Sequence, residues 1–226
     1  MSETTTTFSS ITKKFFMAIA GLFLIVFLLV HLGINLFLLP FVKDDGGEWF
    51  RAAASFMANN WVVKVFEIFL FGGFILHIIL GVIIQVQNWM ARPERYKVEG
   101  YSHTSFFSKF MIHTGVIVFI FLAIHMCNFY FVKLGWVAVP EGVQDKHDFY
   151  VMTRLLFANT GYSVFYMVCM VFLGFHLNHA FQSAFQTLGF NHSKYTPVIK
   201  CMSNIYSIIV PLGFFIIPLY FLLTRV

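Results

Sequence analysis

Residues 15–40 read FFMAIAGLFLIVFLLVHLGINLFLLP, an apolar run of 26 residues without a charged side chain. A helix needs about 20 such residues to cross the hydrocarbon layer of a bilayer, where its backbone polar groups find partners only within the helix. Four further stretches satisfy this length. The sequence predicts an all-α integral membrane protein with five transmembrane helices, at residues 15–40, 62–89, 106–134, 160–188 and 198–224.

The composition supports the same class. The chain is 59% apolar and 19% aromatic, and charged residues make up only 11%, far below the roughly 25% usual in soluble domains. A soluble fold of this length could not bury so much apolar surface. The segments between the spans are read as loops, which predicts a single domain over residues 1–226. The formal net charge of +5 lies in those loops rather than in a patch for nucleic acid.

Neither the N-terminus nor the cysteines indicate a secreted protein. Residues 1–14 are polar and are predicted to be disordered or interfacial. No small-residue cleavage site follows them, so the first apolar run is predicted to be a retained helix. Cys127, Cys169 and Cys201 lie in apolar stretches and form neither CxxC nor CxxCH, which argues against disulfides and against covalently attached haem.

The orientation follows from the Lys and Arg residues of the loops, because cytoplasmic loops carry an excess of them. With a cytoplasmic N-terminus, that side carries eight, against seven on the other side. The small difference favours an N-terminus in the cytoplasm. The eight are Lys13, Lys14, Arg92, Arg95, Lys97, Lys109, Lys194 and Lys200.

Six of the nine histidines lie within the predicted spans: His31, His77, His113, His125, His176 and His179. A polar ring in the hydrocarbon layer is costly, so an intramembrane histidine indicates function by default. A single such ring could instead be satisfied by a neighbouring helix. Four of the six occur once in each of the first four helices, at intervals of 46, 48 and 51 residues: His31, His77, His125 and His176.

The depths of these four histidines match in pairs. His31 lies 17 residues after Lys14, and His125 lies 16 after Lys109, so both reach nearly the same level in outward-running helices. In the inward-running helices, His77 and His176 each lie 12 residues before the end of the span, at a level closer to the cytoplasm. Haem b takes two axial imidazoles from facing helices, so the pattern predicts two haems in a four-helix bundle.

Glycines near these histidines would give a porphyrin flat space. Gly73 and Gly81 lie four residues before and after His77 and share its face, while Gly33 and Gly174 each lie two residues from a histidine. Close helix packing uses glycines in the same way, and taken alone it is the simpler explanation. Together with the histidines, the pattern favours haem.

His113 and His179 compete for the same roles. His113 lies 12 residues before His125, about 120° around the helix and near the cytoplasmic end, which makes it a poor ligand. His179 lies only about 60° from His176, and the spacing does not exclude it. Either could contact a haem propionate or a quinone, although for His113 the simpler interpretation is a ring that reaches the membrane surface.

Four stretches carry a resemblance to a known family: FLLVHLGINL around His31, ILHIILGV around His77, HTGVIVFIFLAIHMCNFY around His125 and GFHLNHAFQSAFQTLGFN around His176. In order and spacing they resemble the cytochrome b membrane-anchor subunit of succinate:quinone oxidoreductases. The matching type is the single-subunit, five-helix, dihaem anchor, which includes fumarate reductase anchors. The matches touch all four bundle helices and cover most of the chain.

The resemblance implies that the four histidines are axial ligands, with His31 paired to His125 and His77 to His176. It also selects His176 over His179, because the family places its ligand in an FHxxN-like pattern. His179 stands three residues later, where relatives usually have an asparagine or another residue. Some fumarate-reducing relatives carry a glutamate just before this ligand, whereas Gly174 stands here, so proton coupling through such a carboxylate is not supported.

The resemblance further implies two partners on the cytoplasmic face in a bacterial inner membrane, a flavoprotein subunit and an iron–sulfur subunit. Electrons from succinate would reach the haem of His77 and His176, then that of His31 and His125, and finally a quinone, with menaquinone favoured over ubiquinone. The chain would be the electron-transfer and quinone-reactive subunit, without chemistry on succinate. Fumarate reduction would use the same route, and a higher oligomer of the complex is compatible with it.

Glu67 lies in the second predicted helix and is the membrane carboxylate nearest the outer side. It could take part in quinone binding and proton uptake, or it could simply pair with Lys64. No catalytic residue is assigned beyond it.

Two other classes compete with this interpretation. A dihaem anchor of a formate dehydrogenase or hydrogenase usually has four helices and differently spaced histidines, so the fifth span argues against it. A transporter or metal channel lined by histidines would need further intramembrane acids and broken helices. Only Glu67 and the prolines Pro211 and Pro218 offer features of that kind.

Overall fold

The computed structural model describes residues 9–40, 46–91 and 110–224, and these residues form helices without a β-strand. Five helices are long and apolar enough to span a membrane, and they confirm the predicted all-α fold with five transmembrane helices. The helices are α1 Ser10–Asn35, α2 Glu48–Asn59, α3 Trp61–Met90, α4 Met111–Leu134, α5 Phe149–Ala158, α6 Thr160–Thr187 and α7 Thr196–Thr224. The membrane-spanning helices are α1, α3, α4, α6 and α7.

Side-chain caps fix where several of these helices begin. Ser9 accepts a hydrogen bond from the backbone N–H of Thr12 at the start of α1, so the polar segment from Ser10 is helical rather than disordered. Asn60 and Asn159 cap α3 and α6 by accepting two backbone N–H groups each. These bonds satisfy N–H groups that have no partner within the first turn of a helix.

Some sequence-based predictions fall outside the described residues. They concern residues 1–8, the first residues of the third predicted span at 106–109, and half of the cytoplasmic cations in the orientation count. Those cations are Arg92, Arg95, Lys97 and Lys109.

Four of the spanning helices form a bundle. α1 packs against α3 and α6, and α4 packs against α6, so that α1 lies diagonally across from α4, and α3 from α6. α7 packs on the outside, along α6 and α1. α6 and α7 approach each other closely where they cross. A methyl group at Gly174 would lie only 2.9 Å from the carbonyl oxygen of Ser207, so the crossing has room for glycine at this position but not for a larger residue. The bundle therefore brings together the faces of α1, α3, α4 and α6.

Two short helices, α2 and α5, close the end of the bundle at which α3 and α6 begin, called the outer end below, and both lie in segments that the sequence predicted to be loops. Arg51 of α2 forms an ion pair with Asp148, which precedes α5, at 3.1 Å from Nε to Oδ1. Phe50 and Phe157 are buried in one apolar cluster with the end of α7. The cluster consists of Leu38, Leu39, Phe50, Phe157, Tyr166, Ile217 and Phe221.

Candidate haem sites between the helices

The structure brings the four histidines together in two pairs. The ring centroids of His31 in α1 and His125 in α4 lie 6.0 Å apart, with an angle of 82° between the ring planes. Those of His77 in α3 and His176 in α6 lie 6.3 Å apart, at 71°. Each pair joins two diagonally opposed helices, and the pairs are those that the sequence analysis predicted.

These separations match what two ligands of one metal ion require. A metal–imidazole bond is about 2 Å long and each nitrogen lies about 1 Å from its ring centre, so two opposed imidazoles on one ion have centroids roughly 6 Å apart. Both pairs have this distance. Other metal sites have less support, because the described residues contain no cluster of three or more His, Cys, Asp or Glu side chains. A haem fits two-histidine sites, since the porphyrin supplies the remaining four ligands.

Glycines of the neighbouring helices line the pair formed by His77 and His176, called the inner pair below; the pair formed by His31 and His125 is the outer pair. A methyl group at Gly21 of α1 would lie 3.6 Å from Cε1 of His77, and one at Gly115 of α4 would lie 3.5 Å from Cε1 of His176. α1 and α4 therefore pass these two rings with bare backbone. A larger side chain at either position would compete with the imidazole, and with any planar group bound to it, for the same space.

The separation of the two histidine pairs along the bundle axis can be estimated from the same glycines. Gly21 precedes His31 by ten residues, and Gly115 precedes His125 by ten. At about 1.5 Å per residue, the two histidine pairs lie about 15 Å apart along the bundle axis. The inner pair, His77 and His176, is the one nearer the N-terminal ends of α1 and α4.

The glycines singled out from the sequence have other neighbours. A methyl group at Gly73 or Gly81 would first meet side chains of α1, Phe23 and Met17 respectively, each at 3.4 Å. Gly174 faces α7, and Gly33 has nothing within 4 Å. Gly73, Gly81 and Gly174 therefore lie at contacts with a neighbouring helix, which is the packing role that the sequence left open, and Gly33 has open space beside it.

One histidine of the inner pair has a hydroxyl group beside it. The Oγ1 atom of Thr114 lies 3.4 Å from Nδ1 of His176 and donates to the carbonyl oxygen of Met111 at 2.9 Å. With its proton used there, the hydroxyl oxygen is left to accept from Nδ1–H of His176. That tautomer keeps a lone pair on Nε2, which is the state that a metal ligand needs.

The partner histidine in each pair has an orphaned nitrogen. Nδ1 of His77 and Nδ1 of His125 are buried and have no hydrogen-bond partner among the described residues. A buried polar atom without a partner costs about 1–3 kcal/mol. In the outer pair, the Nδ2 group of Asn35 lies 3.4 Å from Nδ1 of His31 and donates to the His31 carbonyl oxygen. A metal ion bound directly at Nδ1 would supply the missing partner, whereas one bound at Nε2 would leave Nδ1 without it.

Aromatic rings surround the outer pair. His31 stacks on Phe27 at 5.2 Å and contacts Phe214 at 5.7 Å. His125 stacks on Phe121 at 5.6 Å and contacts Phe129 at 5.2 Å. In both helices the stacked phenylalanine precedes its histidine by four residues, one helical turn. These rings pack against the faces and edges of both imidazoles, so the surroundings of the outer pair are mainly aromatic.

A π-helical turn follows His125 directly, over Met126–Tyr130. Such a turn holds one residue more than an α-helical turn and is frequent at functional sites. It is followed by the last turn of α4, Phe131–Leu134. Within it, Asn128 donates to the hydroxyl of Tyr166 at 2.9 Å, and the Tyr130 hydroxyl points to α3. The sequence predicted one uniform helix over this span, and the change to a π-helical turn differs from that prediction.

Glu67 lies half-buried between α3 and the end of α4. The Tyr130 hydroxyl donates to Oε1 of Glu67 at 2.5 Å, and Nζ of Lys133 lies 3.9 Å from Oε2. Within the described residues, Lys64 forms no ion pair with Glu67, so the simple pairing considered from the sequence does not occur. The result is a polar cluster of a carboxylate, a phenol and an ammonium group within the spanning segments.

The other two histidines of the spanning helices belong to neither ring pair. His113 is exposed and contacts the ring of Phe110, in the first turn of α4. His179 is half-buried, one turn after His176 on α6. Among the described residues, neither ring contacts another histidine, and it is His176 rather than His179 that meets His77.

Compared with known proteins, the chain matches no family model, no curated sequence and no solved structure. The fold and its five apolar helices define a multi-pass membrane protein.

Proposed function

We propose that this chain is a dihaem cytochrome b that anchors a succinate:quinone oxidoreductase, of the respiratory complex II or fumarate reductase type, in the bacterial inner membrane. The observation that carries the proposal is the two His–His contacts, at 6.0 and 6.3 Å, on the two diagonals of one bundle. The order of the four histidine segments, which resembles this family, supports the choice among haem-binding bundles. Two bound haem b groups would supply one-electron redox centres between an iron–sulfur subunit and a membrane quinone.

The chain's own residues have distinct tasks in this proposal. His31 and His125 would hold the iron of one haem, the outer one, while His77 and His176 would hold the iron of the inner one. Gly21 and Gly115 keep the backbone clear of the inner site. The hydroxyl of Thr114 holds the His176 proton on Nδ1. The apolar helices exclude water and provide the low dielectric that tunes a haem's potential.

Glu67 supplies a proton-carrying group for the quinone, which we propose is menaquinone rather than ubiquinone. It precedes His77 by ten residues, about 15 Å along α3, which places it at the level of the outer histidine pair. Its contacts with Tyr130 and Lys133 give a carboxylate with a neighbouring donor and a neighbouring cation. His113 and His179 remain candidates for contacts with a haem propionate or quinone.

Haem quantitation on the purified chain tests the proposal. We expect b-type bands in a reduced-minus-oxidised spectrum and two haems per chain by pyridine haemochrome. His31→Ala, His77→Ala, His125→Ala and His176→Ala should each lose about one haem, because each removes one axial ligand. His147→Ala, which changes an exposed histidine outside the spanning helices, is the control and should keep both.

A colourless chain, or full haem content in all four variants, would refute the dihaem assignment. Copurification from the native membrane then separates the families of anchors. A flavoprotein with an iron–sulfur subunit is expected here, whereas a formate dehydrogenase or hydrogenase subunit would point to the alternative anchor.

A further inference from the structure

A groove of about 600 Å³ opens between α6 and α7 on the outer face of the bundle. Its lining is mixed, with apolar walls and a polar floor, and includes Phe175, Asn178, Asn204, Ser207, Ile208 and Phe215. Both helices are spanning helices, so the groove opens towards lipid. Polar side chains that face lipid are costly unless their hydrogen-bond donors and acceptors have partners.

Hydrogen bonds across the two helices fix the orientation of each amide. Ser207 donates its only hydroxyl proton to the carbonyl oxygen of Asn204 at 3.1 Å, so its Oγ must accept from Nδ2 of Asn178, also at 3.1 Å. The second proton of that Nδ2 goes to Oδ1 of Asn204 at 2.7 Å. On the other side, Oδ1 of Asn178 accepts from Gln182 at 3.3 Å. The atom that Asn204 turns towards Asn178 is therefore its oxygen.

This orientation leaves one group without a partner. Nδ2 of Asn204 carries two N–H groups, and it has no acceptor among the described residues. Asn204 is exposed and lies eight residues after Thr196, about 12 Å from the start of α7. An amide donor without a partner in an apolar medium costs several kcal/mol. The groove thus presents a fixed donor beside apolar walls.

We propose that this groove is a binding site for a membrane amphiphile whose carbonyl oxygen accepts a hydrogen bond from Nδ2 of Asn204. Its hydrocarbon chain lies along Phe175, Ile208 and Phe215. The ester carbonyl of a diacyl phospholipid and the carbonyl of a long-chain quinone both have this chemistry. The proposal does not depend on haem binding, since none of its residues contacts a histidine of the two pairs through a bond described above.

The donor and the shape of the groove favour a small amphiphile over a transmembrane helix of a partner. The backbone carbonyls of a spanning helix are bonded within that helix and offer few free acceptors. The volume also falls within the range of pockets that enclose one small ligand. A second copy of the chain is tested as a separate outcome.

Binding to the full-length chain, delipidated in detergent, can be measured by native mass spectrometry with three probes. They are a diester phosphatidylcholine, the diether phosphatidylcholine with the same chain length, and a naphthoquinone with an alkyl tail. Asn204→Leu should weaken the binding of a carbonyl-bearing probe about fivefold, the factor expected for one net hydrogen bond. Cys201→Leu, an exposed change one turn earlier on α7, should have no effect.

A second pair of variants guards against a folding defect in Asn204→Leu. Ile208→Trp fills the groove and leaves the hydrogen bonds in place, so it should weaken binding as well. Ile209→Trp is its matched control, since Ile209 is similarly exposed, 59% against 64%, but does not line the groove. Helix content and melting temperature should stay unchanged in both.

The probes identify the source of the carbonyl. If Asn204→Leu binds the diester more weakly than the unchanged chain does, but binds the diether and the naphthoquinone equally well, the site is assigned to phospholipid. If Asn204→Leu weakens the binding of the naphthoquinone alone, the site is assigned to quinone. Equal binding of diester and diether, with no effect of Asn204→Leu on any probe, overturns the proposal. So does a disulfide-linked dimer of Asn204→Cys in membranes, which would assign the face to a second copy.

Discussion

At the scale of single residues, the glycines beside His77 and His176 would decide, under the proposed function, whether a planar cofactor has room. Gly21 and Gly115 touch these rings from two neighbouring helices, whereas Gly33, also on α1, has nothing within 4 Å. This contrast within one helix separates an effect on the site from a general effect of glycine replacement on helix stability.

We expect Gly21→Leu and Gly115→Leu each to lose the inner haem while the outer one is kept, because the added side chain occupies the space beside the imidazole. Haem content should fall from about two to about one per chain, as measured by pyridine haemochrome. Gly33→Leu is the matched control and should retain both. Equal haem content in all three variants would contradict the assignment of these glycines.

The contact between Thr114 and His176 can also be tested by substitution. A hydrogen bond from Nδ1–H makes an imidazole a stronger electron donor to its metal and so favours the oxidised iron. We expect Thr114→Val to raise the midpoint potential of one haem and leave the other unchanged in a redox titration. Thr114→Ser keeps the hydroxyl and should restore the original value. A shift of both potentials, or none, would argue against this bond.

At the scale of elements, one carboxylate contacts both of the short helices, α2 and α5. Oδ1 of Asp148 accepts from the backbone N–H of Val151 at the start of α5 and from Nε of Arg51 at 3.1 Å. The cap is worth about 1 kcal/mol, and the partly exposed ion pair is worth less than about 1 kcal/mol. The two helices are therefore joined mainly through the apolar cluster beneath them.

Asp148→Ala should destabilise the protein by about 1–2 kcal/mol, since it removes both interactions. Asp148→Asn keeps the cap and should cost less, as should Arg51→Ala. Melting temperatures in one detergent would rank the three variants. If Arg51→Ala proved the most destabilising, the cap would not be the dominant contribution of Asp148.

The elements also show how far sequence reasoning reaches. The five spans could be predicted from length and hydropathy, because an apolar segment in lipid must form a helix to pair its own backbone N–H and C=O groups. α2 and α5 were missed because helices of 10–12 residues with mixed polarity depend on tertiary contacts, here those of Phe50 and Phe157. The π-helical turn after His125 leaves no signal in composition or periodicity.

Within the site, the sequence was informative about the histidines and less so about what surrounds them. Spacing and depth predicted which rings would meet, since a spanning helix converts residue number into depth. The ten-residue interval from Gly21 to His31 and from Gly115 to His125 was readable but was not recognised. The contact of Thr114 with His176 depends on how α4 is rotated against α6, and the spacing of residues along the chain does not reveal that rotation.

At the scale of the whole molecule, the cluster around Glu67 joins α3 to α4 at the level of the outer histidine pair. Under the proposed function, Glu67→Gln in the complete complex should lower quinone-linked turnover about 10²-fold or more, the usual contribution of a proton-transferring group. Haem content should remain unchanged. Lys64→Met is a suitable control, because Lys64 does not pair with Glu67 among the described residues. Unaltered turnover in Glu67→Gln would remove the carboxylate from the mechanism.

The separation of about 15 Å between the two histidine pairs is half of a hydrocarbon layer about 30 Å thick. A charge that moves from one level to the other therefore crosses about half of the electric field of an energised membrane. Since a full crossing changes the energy by about 2.3 kcal/mol per 100 mV, each electron passed between the levels would gain or lose about 1 kcal/mol per 100 mV. Under the proposed function, the membrane voltage itself would bias the direction of turnover.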